Sequence, residues 1–409
     1  MLQGEQRQGV AFGRRLGQCM EDPQSFINEA LKILARIERG KANPLVLAAF
    51  LGSIKANHPE LVERTLDIVA NDQSLTPYLI ELTRLARPTL ADLHRALHSV
   101  EIGAISVDKL KMFSYGSVLN HLSPQDFINF TDQLLAHGTP GAWVALDILS
   151  SHRYDEPADW TTWKALFRKA LMHPALSFDE FPVDADISAW QDVTMKLLDG
   201  GDNDLARDIL QKMLAVCTNE RFCFKFENAF KALLHTLLSR YTDIAWLMLS
   251  DALLSKDVGM VPTLSDLLIP GMEDEKYEQA PGALSILSDD LLLKWCREHP
   301  TTAPSILMRI IQLFQREGER WAWTPLARTV IDRYGAQRAV LSALTFNLGI
   351  YAWSGSLVPY YAKRVKPLED LRTHRFPEVR RWAGEQLRYV QQQINRESIH
   401  DAEQELGIH

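Results

Sequence analysis

Residues 41–70 read KANPLVLAAFLGSIKANHPELVERTLDIVA, and this stretch carries the pattern that governs the chain. Asn43-Pro44 supplies a helix N-cap followed by a first-turn proline, whose missing N–H has no intrahelical partner to lose. Leu47, Phe50, Leu51 and Ile54 then recur at helical spacing. His58-Pro59 repeats the device, and Val62, Leu66 and Val69 form the next apolar stripe. Two short amphipathic helices joined by a tight turn are therefore expected here.

The same unit extends both ways. Upstream, Phe26, Ala30, Ile33, Leu34 and Ile37 share one helical face, and Gly40 stops it. Downstream, Thr76-Pro77 precedes Leu79, Leu82 and Leu85, and Thr89 precedes Leu90, Leu93, Leu97 and Val100. Ser123-Pro124, Thr139-Pro140 and Thr324-Pro325 mark further starts. The recurrence predicts an all-α chain of roughly 18 to 20 helices and no sheet. Arg221 to Phe226 alternates like a strand, but Phe222, Phe226, Phe230, Leu233 and Leu237 fit a longer helix, and a helix is expected there.

Two stretches interrupt the periodicity. Ser177–Asp186 contains Pro182 among acidic residues, and Ile269–Gly282 is acidic between Pro/Gly flanks. They divide the chain into an N-terminal helical array (1–176), a middle array (187–268) and C-terminal helices with a basic surface (283–409). Beyond Ala383 the sequence turns polar, as a capping helix with a wet outer face should.

Composition narrows the function classes. The 409 residues are 46% hydrophobic and 23% charged, which fits a folded chain rather than a disordered one. The N-terminus lacks the apolar core of a secretory signal, and no run approaches the roughly 20 apolar residues of a membrane span. Cys19, Cys217, Cys223 and Cys296 are scattered, so neither a disulfide framework nor a zinc knuckle is expected, and a reducing cytoplasm fits best. The net charge of −8 is uneven: residues 301–400 hold 15 Lys+Arg against 8 Asp+Glu.

Motifs of chemistry are missing. There is no phosphate-binding glycine loop and no G-x-S-x-G elbow; Trp353-Ser354-Gly355-Ser356 reads as a turn with Ser356 capping the next helix. His94 and His98 share a helical face, but Arg95 stands where a zinc protease needs glutamate. Asp199, Asp202 and Asp204 lack the closing Glu of a calcium loop, and read as helix capping. Cys217 and Cys223 read as buried or inert. No catalytic residue, metal or cofactor is expected.

One composition stands out. In the C-terminal third, Arg320, Trp321, Trp323, Trp353, Tyr360, Lys363, Arg364, Arg380 and Arg381 interleave aromatic and basic side chains. Aromatics and arginines dominate protein interfaces, and the same mixture tracks a nucleic-acid backbone while stacking bases. The competing reading is that the aromatics fill the core and the arginines lie over it. A protein partner is the leading expectation and nucleic acid the second.

His374-Arg375-Phe376-Pro377-Glu378-Val379-Arg380-Arg381-Trp382-Ala383 resembles a HEAT repeat: proline starts the second helix, valine packs inward, arginine follows, and alanine sits close to a neighbour. A helix pair about every 40 residues lies in the HEAT/armadillo range. The fold expected is thus an α-solenoid of degenerate HEAT/armadillo-like helix pairs. Together with Ala322–Ala327, Ala339–Leu344 and Tyr351–Tyr360, this segment also resembles the C-terminal repeat regions of large bacterial proteins, including multidomain NTPases of antiviral defence. That resemblance implies a non-catalytic scaffold that recognises a foreign protein, either standing alone or as the sensor portion of a longer chain. Gly9-Val10-Ala11-Phe12-Gly13, which reads like mid-protein sequence, fits the second case.

Overall fold

The computed structural model describes residues 2–4, 6–38, 40–151, 160–178, 181, 187–218, 220–255, 257, 259–270, 282–349 and 355–405. Contacts divide the chain into two units, Met1–Gly200 and Gly201–His409.

The first unit holds α1 (Gly9–Cys19), α2 (Pro23–Leu34), α3 (Leu45–Ile54), α4 (Pro59–Asn71), α5 (Leu79–Leu85), α6 (Leu90–Glu101), α7 (Pro124–Leu135), α8 (Gly138–Ser151), α9 (Trp160–Leu171) and α10 (Ile187–Leu198). The second holds α11 (Asn203–Cys217), α12 (Glu220–Arg240), α13 (Thr242–Leu253), α14 (Met260–Leu268), α15 (Asp289–Glu298), α16 (Ala303–Ile310), α17 (Pro325–Tyr334), α18 (Arg338–Asn347), α19 (Val358–Ala362), α20 (Val365–Asp370) and α21 (Pro377–Glu405). That makes 21 α-helices among the described residues.

The capping logic of the sequence is visible in the bonds. The Asp22 carboxylate accepts from the Ser25 amide, the Ser123 hydroxyl from Asp126, and the Thr324 hydroxyl from Ala327, each before a first-turn proline. Thr89 and Asp92 form a full capping box. At Asn43 the side chain does double duty: its carbonyl accepts from the Leu45 amide, and its amide donates to the Gly4 carbonyl. Thr139-Pro140 falls inside the first turn of α8, which starts at Gly138, rather than before it. The alternating segment near Phe226 belongs to α12, with Phe226, Phe230, Leu233 and Leu237 buried.

The expectation of no sheet is corrected at one place. Phe314–Glu317 (β1) and Arg320–Trp323 (β2) pair antiparallel, Phe314 opposite Trp323 and Glu317 opposite Arg320. Gly318, at φ +63°, opens the two-residue loop, as a tight hairpin turn requires. The buried rings of Phe314 and Trp323 lie 4.7 Å apart, and the Trp323 indole donates to the Pro367 carbonyl. Four-residue strands are too short for their alternation to stand out against helical periodicity.

Packing follows an alternating order in both units. In the first, α1 lies on α3, α3 on α5 and α8 on α10, while α4 lies on α6, α6 on α7 and α7 on α9. In the second, α12, α14, α16, α18 and α21 follow one another, as do α11 and α13, and α15 and α17. The α1–α3 contact shows the register. A Cβ on Gly9 would meet the Leu45 side chain at 3.2 Å, one on Gly13 the Ala49 Cβ at 2.9 Å, and one on Gly17 the Ser53 Cβ at 2.9 Å. The partners advance together by four, so the two helices run parallel, one step of the chain apart.

That step recurs in the bonds between distant residues. Gln6 bonds Asn43, Lys55 bonds Asp92, Lys169 bonds Asp132, Gln337 bonds Pro300 and Trp382 bonds Thr345, each pair 37 residues apart. The Arg309 guanidinium stacks 3.9 Å over the Phe346 ring, and the buried Asn347 amide donates to the Met308 and Ile311 carbonyls. Side chains thus tie helices about 37 residues apart to each other in both units.

Of the two interruptions, Ser177, Phe178, Phe181, Ile269, Pro270 and Gly282 are described, and they are not helical. Phe178 and Phe181 flank the Trp143 ring at 5.5 and 4.5 Å, and its indole donates to the Ser177 carbonyl. Residues 179–180, 182–186 and 271–281 lie outside the described residues.

The close approaches give an opposed pair of expectations. A Cβ on Gly13 would stand 2.3 Å from the Val46 carbonyl oxygen, so Gly13→Ala should cost about 1–3 kcal/mol. Gly384, inside α21 with nothing within 4 Å of its Cβ position, should gain up to about 1 kcal/mol on change to Ala. Urea unfolding of the two variants, moving in opposite directions from the parent, checks both.

Candidate aromatic–arginine surface

The interleaved residues of the C-terminal third separate into three groups. Trp323, Tyr360, Lys363 and Arg364 are buried. The Lys363 ammonium lies 5.3 Å from the centre of the half-buried Trp321 ring, and the Arg364 guanidinium 5.4 Å from that of Tyr361. Arg320, Arg380 and Arg381 are exposed. Arg380 donates to the carbonyls of His374 (2.7 Å) and Arg375 (3.1 Å), which fixes the chain entering α21. Trp353 lies outside the described residues. Trp382 is buried, its indole donating to the Thr345 hydroxyl at 2.9 Å.

A concavity of about 240 Å³ opens beside this group. Thr345, Leu348 and Gly349 of the α18 end form one wall, Gln386, Tyr389 and Val390 of α21 a second, and Tyr361 and Arg364 the third. The Tyr361 and Tyr389 rings meet edge to face at 6.5 Å. Burial, with Tyr389 beside it, pushes the Tyr361 phenol above its ordinary range, so it is a neutral hydrogen-bonding group at neutral pH. Tyr389 is half exposed at the rim. Sequence reasoning missed Tyr389, Gln386 and Thr345. They lie on α18 and α21, some 40 residues apart, and only the stacking step brings them together.

Along α21, Arg381, Glu385, Arg388, Gln392 and Arg396 fall on one exposed face, at steps of four, three, four and four. Tyr389 borders that stripe on the side of the concavity.

The other chemically capable groups are engaged structurally. The buried His374 ring accepts the Phe376 amide at Nδ1, which leaves Nε2 to donate to Asp332 at 2.9 Å. Nε2 ties the segment before α21 to α17, and Nδ1 holds the local turn into α21. Burial pushes the Cys296 thiol up to about 12, and Cys217 is buried too; Cys19 is exposed. The Asp202 side chain caps α11 through the Leu205 amide, and the Ser356 hydroxyl accepts from the Val358 amide. Among the described residues no group of three His, Cys, Asp or Glu could hold a metal, and no helix is long and apolar enough to cross a membrane.

In the first unit, Asp92 is fully buried between Lys55 (2.9 Å) and Arg95 (2.6 Å), and Arg95 also reaches Glu63 and Asp67 at 2.8 Å each. Burial alone would raise the Asp92 carboxyl; the Thr89 amide and the Lys55 ammonium outweigh it and hold it below the ordinary range. Every strong donor in this cluster has an acceptor on a neighbouring helix, so it ties α3, α4 and α6 together.

Comparison of the chain with protein-family models, curated proteins and solved structures finds no match. The class that the geometry itself defines is a predominantly helical protein with one small hairpin among the described residues.

Two outcomes follow from these environments. The Asp92 carboxyl is more acidic folded than unfolded, where it titrates near 3.9. Its contribution is therefore complete above about pH 4 and fades as pH falls through the lower folded value. Asp92→Ala, which takes one partner from two half-buried cations and the capping box from α6, should cost about 3 kcal/mol at pH 7. Urea titrations from pH 7 to 3 should show Asp92→Asn losing less stability on acidification than the parent. In thiol labelling of the folded chain, Cys19 should react first and Cys296 only on unfolding.

Proposed function

We propose that the chain is a non-catalytic binding scaffold, an α-solenoid of HEAT-like helix pairs whose C-terminal surface recognises a protein. The observation that carries the reading is the recurring 37-residue link between like parts of successive pairs, from Gln6–Asn43 to Trp382–Thr345. Stacks of this kind present long ordered surfaces, and their use is recognition. The tied-up state of His374 and the raised thiol of Cys296 support a non-catalytic role. Four cysteines without paired spacing suit a reducing cytoplasm. The resemblance of the C-terminal segment makes the sensor portion of a bacterial defence assembly the more specific form of the proposal.

A second reading, nucleic-acid binding, is favoured by the positive balance of residues 301–400 and by exposed Arg320, Arg381, Arg388 and Arg396. It requires binding that falls steeply with salt as counterions are released.

One experiment separates the two. The full chain and an Arg381→Glu/Arg388→Glu variant are immobilised and incubated with nuclease-treated bacterial lysate. The scaffold reading predicts a discrete protein retained by the parent and reduced at least tenfold on the variant. Retention of nothing, or equal retention on both, contradicts it. Salt-sensitive capture of nucleic acid before nuclease treatment, with no protein retained, favours the second reading.

A further inference from the structure

We draw no further inference here: the strongest candidate, the concavity of about 240 Å³ between the α18 end, the α19 region and α21, carries nothing, because exposed Glu378, Glu385 and Glu403 share the surface of α21 with Arg381, Arg388 and Arg396 and nothing in the structure shows what covers it.

Discussion

Most helices of this chain are too short to persist alone. Excepting α12 and α21, they run from five to fifteen residues, near or below the length at which an isolated helix is marginal in water. Each therefore depends on laying its apolar stripe against neighbouring helices. α3 states the requirement most plainly. Val46, Leu47, Ala48, Ala49, Phe50, Leu51 and Ile54 are all buried, because α1 covers one side and α5 the other. Gly13 and Gly52 allow that sandwich. Their Cβ positions would fall 2.3 Å from the Val46 carbonyl oxygen and 2.1 Å from that of Leu85. Backbone meets backbone there, and dispersion contacts gain from the closeness.

From this dependence follow the polar ties. Side chains at the helix ends reach across one step: Asn43 to Gly4, Lys55 to Asp92, Asn347 to Met308 and Ile311, Trp382 to Thr345. Buried polar groups must find partners, and these find them on helices that pack nearby. The same adjacency builds the concavity beside α21, whose walls come from the α18 end, the α19 region and α21 itself.

Much of this was legible in the sequence. Proline after a capping residue marks helix starts through local chemistry, so Ser123 and Thr324 read correctly without any knowledge of packing. The hairpin at Phe314–Trp323 was not legible, since four-residue strands are too short for their alternation to stand out from a helical pattern. The glycine stripe of α1 was passed over for a different reason. Gly9, Gly13 and Gly17 are poor helix formers, and only the closeness of α3 explains them. At the candidate site, composition drew the eye to Trp323, Tyr360 and Arg364, which the fold buries. Tyr389 and Gln386 carried no local signal, because their role comes from what α18 and α21 bring together.

The central proposal is that each unit is a stack held by contacts between successive helix pairs. Native-state hydrogen exchange read by mass spectrometry, under a series of low urea concentrations, tests it most directly. A stack opens in blocks of one helix pair, about 37 residues long, so segments such as α1–α2 and α21 should exchange at lower urea than α3–α6 and α14–α18. If all helices of a unit instead lose protection together at one urea concentration, each unit is a single cooperative globule, and the stacked-pair account is wrong.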